Sequence, residues 1–248
     1  MIQKFFEYVV GKYEPIKSFY LKDELNPKVW PDGDEKVDRS IREDLLEIAK
    51  DYFENLEINA KLQDIVLTGS LANFNWSEYS DFDLHLIFDF GEVNEDEELV
   101  RKFLDAVEKV WKLQHDITIE GYEVELYCQD SKQDHFSTGQ YSLVEDKWLV
   151  KPSKEKFVPD EDLIKRKAEQ IMSSIEDLEN DLEENESYEL ISAKLKKVWK
   201  KIKDSRKAGL EREGEYSVEN LVFKLLRRNG YIGKILDVKR KAYDKQFK

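Results

Sequence analysis

The sequence predicts an α+β protein, in which a mixed β-sheet core flanked by helices precedes a C-terminal helical domain. Two observations predict this class. Up to about residue 152, short segments rich in β-forming residues alternate with segments of helical periodicity. After Pro159 only helical periodicity remains, and the stretch between the two parts, KPSKEKFVPDED, is the most linker-like in the chain. We therefore expect a sheet domain over residues 1–155 and a helical domain over residues 156–248.

The elements of the sheet domain follow from hydrophobic spacing. The opening MIQKFFEYVVGKYEP has no uninterrupted apolar run, so we interpret it as an amphipathic helix rather than a secretion signal. Apolar residues recur at helical spacing over residues 37–57. Residues 94–114 predict a second helix, whose acidic start suits the helix dipole. Strands are predicted at Asp64–Thr68, Phe82–Phe90 and Tyr122–Gln129, with a short edge strand at Asp146–Pro152.

The helical domain is predicted to contain four helices. Ser217 suits the N-cap of the third, and Gly230, shortly after two arginines, is a helix-ending signal. No internal repeat or low-complexity tract interrupts these segments. The predicted helices span residues 161–185, 188–209, 217–229 and 232–246.

Composition and charge limit the classes of protein to which this chain could belong. The single cysteine, Cys128, excludes an internal disulfide, and no apolar run approaches membrane-spanning length, so we expect a cytoplasmic protein with no membrane partner. Residues 1–190 carry 22 basic and 47 acidic groups, whereas residues 191–248 carry 18 basic and 7 acidic groups. The acidic part repels phosphates at long range, so general nucleic-acid binding is not expected, although the basic part could receive phosphates locally.

The segment LTGSLANFNWSEYSDFDLHLIF carries the most specific chemistry. It places Gly69 and Ser70 at the end of one strand and, after ten residues, Asp81-x-Asp83 on the next strand. Residues two apart on a strand share a face at about 6–7 Å, so both carboxylates could reach a pair of divalent cations, and oxygen ligands suit Mg²⁺. Gly69 allows close approach of the backbone to a phosphate. Ser70 adds a hydroxyl and an N–H at an expected helix N-terminus.

A third carboxylate is expected from the strand that begins at Tyr122. Glu125 is flanked by Val124 and Leu126, and it could bind one metal and accept the proton of an attacking hydroxyl. Glu123 shares the same strand face, so the choice between the two glutamates stays open, with Glu125 preferred for its apolar neighbours.

The pattern G-S-x10-D-x-D followed by VEL resembles the DNA polymerase β-like nucleotidyltransferase superfamily, over about residues 60–130. The resemblance implies a nucleotidyltransferase core that transfers a nucleoside monophosphate from an NTP such as ATP to a hydroxyl and releases pyrophosphate. By position, Gly69 and Ser70 would hold the triphosphate. The acids that would act in catalysis and hold two Mg²⁺ ions, or Mn²⁺ in their place, are Asp81, Asp83 and Glu125.

Two further properties of the family bear on this chain. Members commonly append a helical domain that closes the nucleotide cleft, and residues 160–248 would take that role. Minimal nucleotidyltransferases often read G-S-x-A-R-G. In this chain Ala72 matches the alanine of that motif, but Asn73 and Phe74 replace its Arg-Gly.

The acceptor of the nucleotide is open between an RNA end, another nucleotide and a small molecule. A long RNA would need an extended basic track, which only the last quarter of the chain offers. An alternative enzyme is an oligonucleotide or cyclic-nucleotide synthase. A different class is a catalytically silent nucleotidyltransferase fold that acts as a protein-binding, antitoxin-like module.

Other polar and aromatic residues carry weaker signals. His85 shares the strand face of the paired aspartates, whereas His115 and His135 show no zinc spacing with it. A lone buried cysteine is more often a packing residue than a nucleophile, so Cys128 is expected in the core. Tyr141, Ser142 and Trp148 could line a base pocket or belong to the core. Lys224, Arg227 and Arg228 could contact phosphates, and helix-end capping explains Arg227 and Arg228 equally well.

Overall fold

The computed structural model divides into two compact units. The first, Leu21–Glu155, contains the sheet, and the second combines a short N-terminal segment, residues 14–20, with the helices after residue 155. Residues 1–13, which make up nearly all of the predicted N-terminal amphipathic helix, and His135 lie outside the described residues. The described residues are 14–33, 35–133, 137–154, 156–184 and 187–247.

The sheet is mixed and has six strands in the order β3-β4-β2-β1-β5-β6. β2 and β4 are parallel, and every other neighbouring pair is antiparallel. The four predicted strands are confirmed, including β6 at the edge. The sequence pattern does not predict β3 and β5, because two or three residues are too few to show alternation. The strands are β1 Asp64–Thr68, β2 Asp81–Phe88, β3 Thr118–Ile119, β4 Tyr122–Asp130, β5 Gln140–Ser142 and β6 Lys147–Val150.

Within its described residues the sheet unit has two α-helices, and both confirm the prediction. Helix α1, Arg39–Asn55, begins after Asp38, whose carboxylate accepts the N–H groups of the first turn. It buries Ile41, Leu45, Ala49 and Tyr52 at helical spacing. Helix α2, Glu97–Gln114, begins after Asp96, whose side chain accepts from the N–H of Leu99, and it buries Val100 and Leu104 against the same core. Capped ends and one apolar stripe per helix therefore explain both elements.

The two faces of the sheet differ in burial. Along β2 the residues alternate, so that Phe82, Leu84, Leu86 and Phe88 lie in the core while the intervening residues stay half-buried on the other face. This second face, here called the open face, carries Asp81 and Asp83.

The aromatic set near β5 and β6 belongs to the core. Tyr141 is fully buried, and Trp148 stacks on Trp30 with ring centroids 4.5 Å apart. Ser142 is buried and donates a hydrogen bond to Asp64 Oδ1 (2.8 Å). The core interpretation of these residues is confirmed.

The helical unit contains the four predicted helices, and its core also includes Ile16 and Phe19 of the 3₁₀-helix Glu14–Phe19. The Ser217 N-cap is confirmed, since its hydroxyl accepts from the N–H of Asn220 (3.4 Å). The second helix runs four residues further than predicted and ends at Glu213, just before Gly214 at φ 68°. Across the described ranges, no helix combines the length and apolar character needed to cross a membrane. The helices are α3 Glu161–Glu183, α4 Tyr188–Glu213, α5 Val218–Arg228 and α6 Tyr231–Lys245.

Candidate active site

Three carboxylates meet on the open face of the sheet. Asp81 and Asp83 lie on β2, and the parallel register places Glu125 of β4 directly beside Asp83. One ligand oxygen from each of the three lies within 4.8 Å of the others, and all three residues are half-buried. Within the described part of the chain, this is the one group of three or more metal-binding side chains so close together.

The register also separates the two candidate glutamates. Glu123 pairs with Asp81 on the same face, but it is exposed and lies outside the close group. Glu125 pairs with Asp83 further along the strands, and its side chain is only 14% exposed. The geometry therefore groups Glu125, not Glu123, with the two aspartates.

Gly69 lies against the carboxylate of Asp83. Its φ of 73° falls in the region that L side chains rarely adopt, and a Cβ built on it would lie 1.8 Å from Oδ2 of Asp83. Only glycine therefore fits between β1 and the acidic group. The expected helix N-terminus after it is wrong, because Ser70 begins a single 3₁₀ turn, Ser70–Ala72, rather than an α-helix.

Hydrogen bonds fix the loop between β1 and β2. The Ser70 hydroxyl donates to Ser80 Oγ (2.7 Å), and Ser80 immediately precedes Asp81. Asn73 is buried and donates through Nδ2 to Thr138 Oγ1 (2.9 Å), whose hydroxyl lies 3.2 Å from Asn73 Oδ1. Asn73 thus holds the loop to the segment that contains Thr138.

Two donors hold Glu125, and neither is predicted from the sequence. Lys112 of α2 forms an ion pair with Oε1, and the Tyr127 hydroxyl donates to Oε2. Burial and then the charges of Glu125 and Asp83 raise the pKa of Tyr127, so it stays a donor. Burial alone would lower the pKa of Lys112, but its contact with Glu125 and the nearby acids raise it overall. Lys112 lies on a different element from Glu125, so no spacing in the sequence indicates that the two side chains meet. Tyr127 could have been found, because residues two apart on a strand point to the same face.

The donor set suits a hard cation. All three ligand groups are carboxylates, and oxygen-only ligands on a half-buried surface are what Mg²⁺ prefers. Three like charges this close repel one another, so a bound cation would relieve that repulsion. Without a bound cation, the ammonium group of Lys112 neutralises part of the negative charge through its ion pair with Glu125.

The other sequence candidates occupy structural positions. Nδ1 of His85 donates to Gln129 Oε1 (2.8 Å) on the open face, next to Tyr127. Burial raises the pKa of Cys128 to about 12, which makes its thiol a poor nucleophile at neutral pH. Arg228 lies over the Phe19 ring, 4.8 Å from its centroid, and donates to the carbonyl of Pro15.

The two remaining basic candidates lie on α5, in the helical unit. The pKa of Lys224 is lowered, chiefly by burial, and its Nζ lies 4.0 Å from Glu215. Arg227 is exposed in the last turn of the helix, where a cation complements the helix dipole. Lys224 and Arg228 are thus held by contacts inside the helical unit, and the position of Arg227 fits the helix-capping interpretation.

Comparison with known proteins returned no match: no family model, curated protein or solved structure is similar to this chain. A function for the protein is therefore inferred from the residues and geometry described above.

Proposed function

We propose that the protein is a Mg²⁺-dependent nucleotidyltransferase that moves a nucleoside monophosphate from an NTP to a hydroxyl. The observation that carries this proposal is the joint placement of Gly69 and the acidic triad Asp81, Asp83 and Glu125. A glycine turn pressed against a group of three close carboxylates provides metal ligands beside a backbone that a triphosphate can approach.

Each residue has a distinct role in this proposal. Asp81 and Asp83 hold the metal ions, and Gly69 with Ser70 receives the phosphates through backbone N–H groups and a hydroxyl. Glu125 is the third ligand and takes up the proton of the acceptor hydroxyl. Bound Mg²⁺ supplies charge neutralisation at the phosphates and lowers the pKa of the attacking hydroxyl.

The reaction is a displacement at the α-phosphorus. The acceptor oxygen forms a bond to that phosphorus, and the bond from the phosphorus to the oxygen that bridges the β-phosphate breaks. Pyrophosphate leaves with the electron pair, and the hydroxyl proton passes to Glu125. The chain contributes mainly positioning and charge stabilisation, which supply most of the rate enhancement in phosphoryl transfer.

The proposal is tested with α-³²P-labelled ATP, CTP, GTP and UTP and either Mg²⁺ or Mn²⁺, with and without bulk small RNA. Label is expected in a new product together with pyrophosphate. The chemistry of that product identifies the acceptor and separates single transfer from oligonucleotide or cyclic-nucleotide synthesis. Asp81→Asn/Asp83→Asn should lower transfer by at least about 10³-fold, as expected for lost metal ligands.

The matched control is Asp44→Asn/Asp51→Asn, which removes two exposed carboxylates from α1 and should leave transfer unchanged. Absence of transfer with every nucleotide, together with absence of metal-dependent NTP binding, would contradict the proposal.

A second candidate function, a protein-binding module, is favoured by one observation. Helix α2 carries a stripe of exposed apolar residues, in which successive members are alternately four and three positions apart. One of them, Leu113, is 87% exposed. A silent module requires that Asp81→Asn/Asp83→Asn leave its activity unchanged and that no Mg²⁺-dependent turnover occur. The stripe residues are Leu99, Phe103, Ala106, Val110 and Leu113.

A further inference from the structure

A cleft of about 470 Å³ lies between three helices of the helical unit, α3, α4 and α5. Each helix contributes residues at positions i, i+3, i+4 and i+7, which is the spacing of one helical face over two turns. The cleft is therefore bordered by three elongated faces, each about 10 Å long. Clefts of this size between the helices of a bundle are common ligand sites, in which an apolar lining is combined with a few polar groups.

Half of the described residues that line this cleft are apolar. Three of them are buried and lie at its bottom, and three are half-buried nearer its mouth. A ligand with an alkyl chain would remove the half-buried side chains from water, and such removal is favourable in proportion to the apolar area covered. The buried set is Ile202, Val222 and Leu226, and the half-buried set is Ile171, Val198 and Phe223.

The polar groups of the cleft carry a net positive charge. Its lining contains two lysines and one carboxylate, that of Glu219. Oε1 of Glu219 lies 2.7 Å from Nζ of Lys167, and Oε2 lies 3.0 Å from the guanidinium of Arg212. The hydrogen bond from Lys167 is the main cause that lowers the pKa of Glu219, so this carboxylate is ionised at neutral pH. Its charge is already balanced by these two cations.

The second lysine of the lining, Lys201, supplies a cation at the mouth of the cleft. It is exposed, and within the described ranges no group forms a hydrogen bond or an ion pair with its ammonium. Another positive charge lies nearby, because the guanidinium of Arg206 lies over the Phe223 ring, 4.2 Å from its centroid. An anionic group at the mouth would be attracted, whereas a cationic group would be repelled.

We propose that this cleft binds a fatty acid of medium chain length, with its alkyl chain along the apolar faces and its carboxylate beside Lys201. The carboxylate supplies the negative charge that the lining lacks, and the chain matches the apolar side chains below it. The length of the three faces suits an extended chain. The proposal is independent of nucleotide transfer, because the cleft contains none of the residues of the acidic triad.

Calorimetry on the full chain tests the proposal, with decanoate as the probe and every compound kept below its micelle-forming concentration. Butyrate keeps the carboxylate but shortens the chain, and decyltrimethylammonium keeps the chain but reverses the charge. Decanoate should bind at least about 100-fold more tightly than butyrate, which buries fewer methylene groups, and at least about tenfold more tightly than decyltrimethylammonium. Decanoate that binds no more tightly than either comparison compound would overturn the proposal.

Two variants test whether the ligand lies in this cleft. Lys201→Gln should weaken decanoate binding about three- to fivefold, whereas Lys196→Gln, at an exposed position of α4 outside the lining, should not. Ser174→Trp places an indole in the cleft and should weaken binding at least about tenfold. Its matched control is Ser173→Trp, at the preceding exposed serine of α3, which does not line the cleft.

Thermal unfolding of all four variants establishes that they are folded. Wild-type affinity for decanoate in Lys201→Gln would overturn the placement of the carboxylate, and wild-type affinity in Ser174→Trp would overturn the placement of the chain. A loss in Ser173→Trp as large as that in Ser174→Trp would also contradict the proposal.

Discussion

The backbone of Gly69 and the carboxylate of Asp83 are so close that a Cβ on residue 69 would lie 1.8 Å from Asp83 Oδ2. The turn after β1 and the acid of β2 are therefore packed directly against each other, with no room for a side chain at residue 69. This contact joins the proposed phosphate-binding turn to the proposed metal ligands.

Gly69→Ala should lower the rate of nucleotide transfer at least about 100-fold, because the new methyl group would displace Asp83 and strain the backbone. The matched control is Gly33→Ala, since Gly33 also has a positive φ (86°) but has open space where its Cβ would lie. Gly33→Ala should cost about 1–2 kcal/mol of stability and keep activity. Thermal unfolding and transfer rates measured on both variants check this, and equal activity losses would contradict the displacement of Asp83.

Lys112→Gln should make the protein depend on Mg²⁺ for stability. The lysine charge partly neutralises Glu125 beside the two aspartates, so its removal leaves their repulsion uncompensated. We expect a lower melting temperature without metal, a larger rise on adding Mg²⁺, and a several-fold tighter apparent Mg²⁺ affinity. Lys109→Gln, an exposed position on the same helix, is the control. If Mg²⁺ raises the melting temperature of Lys112→Gln by no more than it raises that of the wild type, Lys112 does not reduce the repulsion among the three carboxylates.

Tyr127→Phe should lower kcat about tenfold, with little change in KM for the nucleotide. The phenylalanine keeps the ring beside His85 but removes the hydroxyl that donates to Glu125. Tyr127 acts here as a positioning residue, so the Mg²⁺ concentration needed for half-maximal rate should also rise. Steady-state kinetics over a Mg²⁺ series, with thermal unfolding as a check on folding, measure the effect. If neither kcat nor the Mg²⁺ requirement changes, the Tyr127 hydroxyl does not contribute to the reaction.

Glu108→Gln should stabilise the protein at neutral pH. Burial raises the pKa of Glu108 in the folded state, so ionisation opposes folding, and stability is lost as pH rises from its ordinary value of 4.5 through the folded value. At pH 7 the variant should gain a few tenths of a kcal/mol, a small amount because the side chain is half solvated. Below about pH 4 the two proteins should be equally stable.

Urea unfolding of Glu108→Gln at pH 3.5 and pH 7 provides the comparison, with Glu47→Gln, an exposed glutamate of α1, as control. A Glu108→Gln protein that is less stable than the wild type at pH 7 would mean that the carboxylate has a stabilising partner.

Local sequence determined most of the elements and part of the site. Hydrophobic periodicity predicts both helices of the sheet unit and the four of the helical unit, because each buries one stripe of its own residues. The pair Asp81 and Asp83 and the turn at Gly69 are also local, since a strand puts alternate residues on one face and a tight turn needs glycine.

Tertiary structure decided what lies beside those residues. The choice between Glu123 and Glu125 depends on the parallel register of β2 and β4, which pairs residues more than 40 positions apart. Lys112 reaches Glu125 from a different element, helix α2. Periodicity describes how one segment meets the core, and it carries no information about which side chains of separate segments come within a few ångströms of each other.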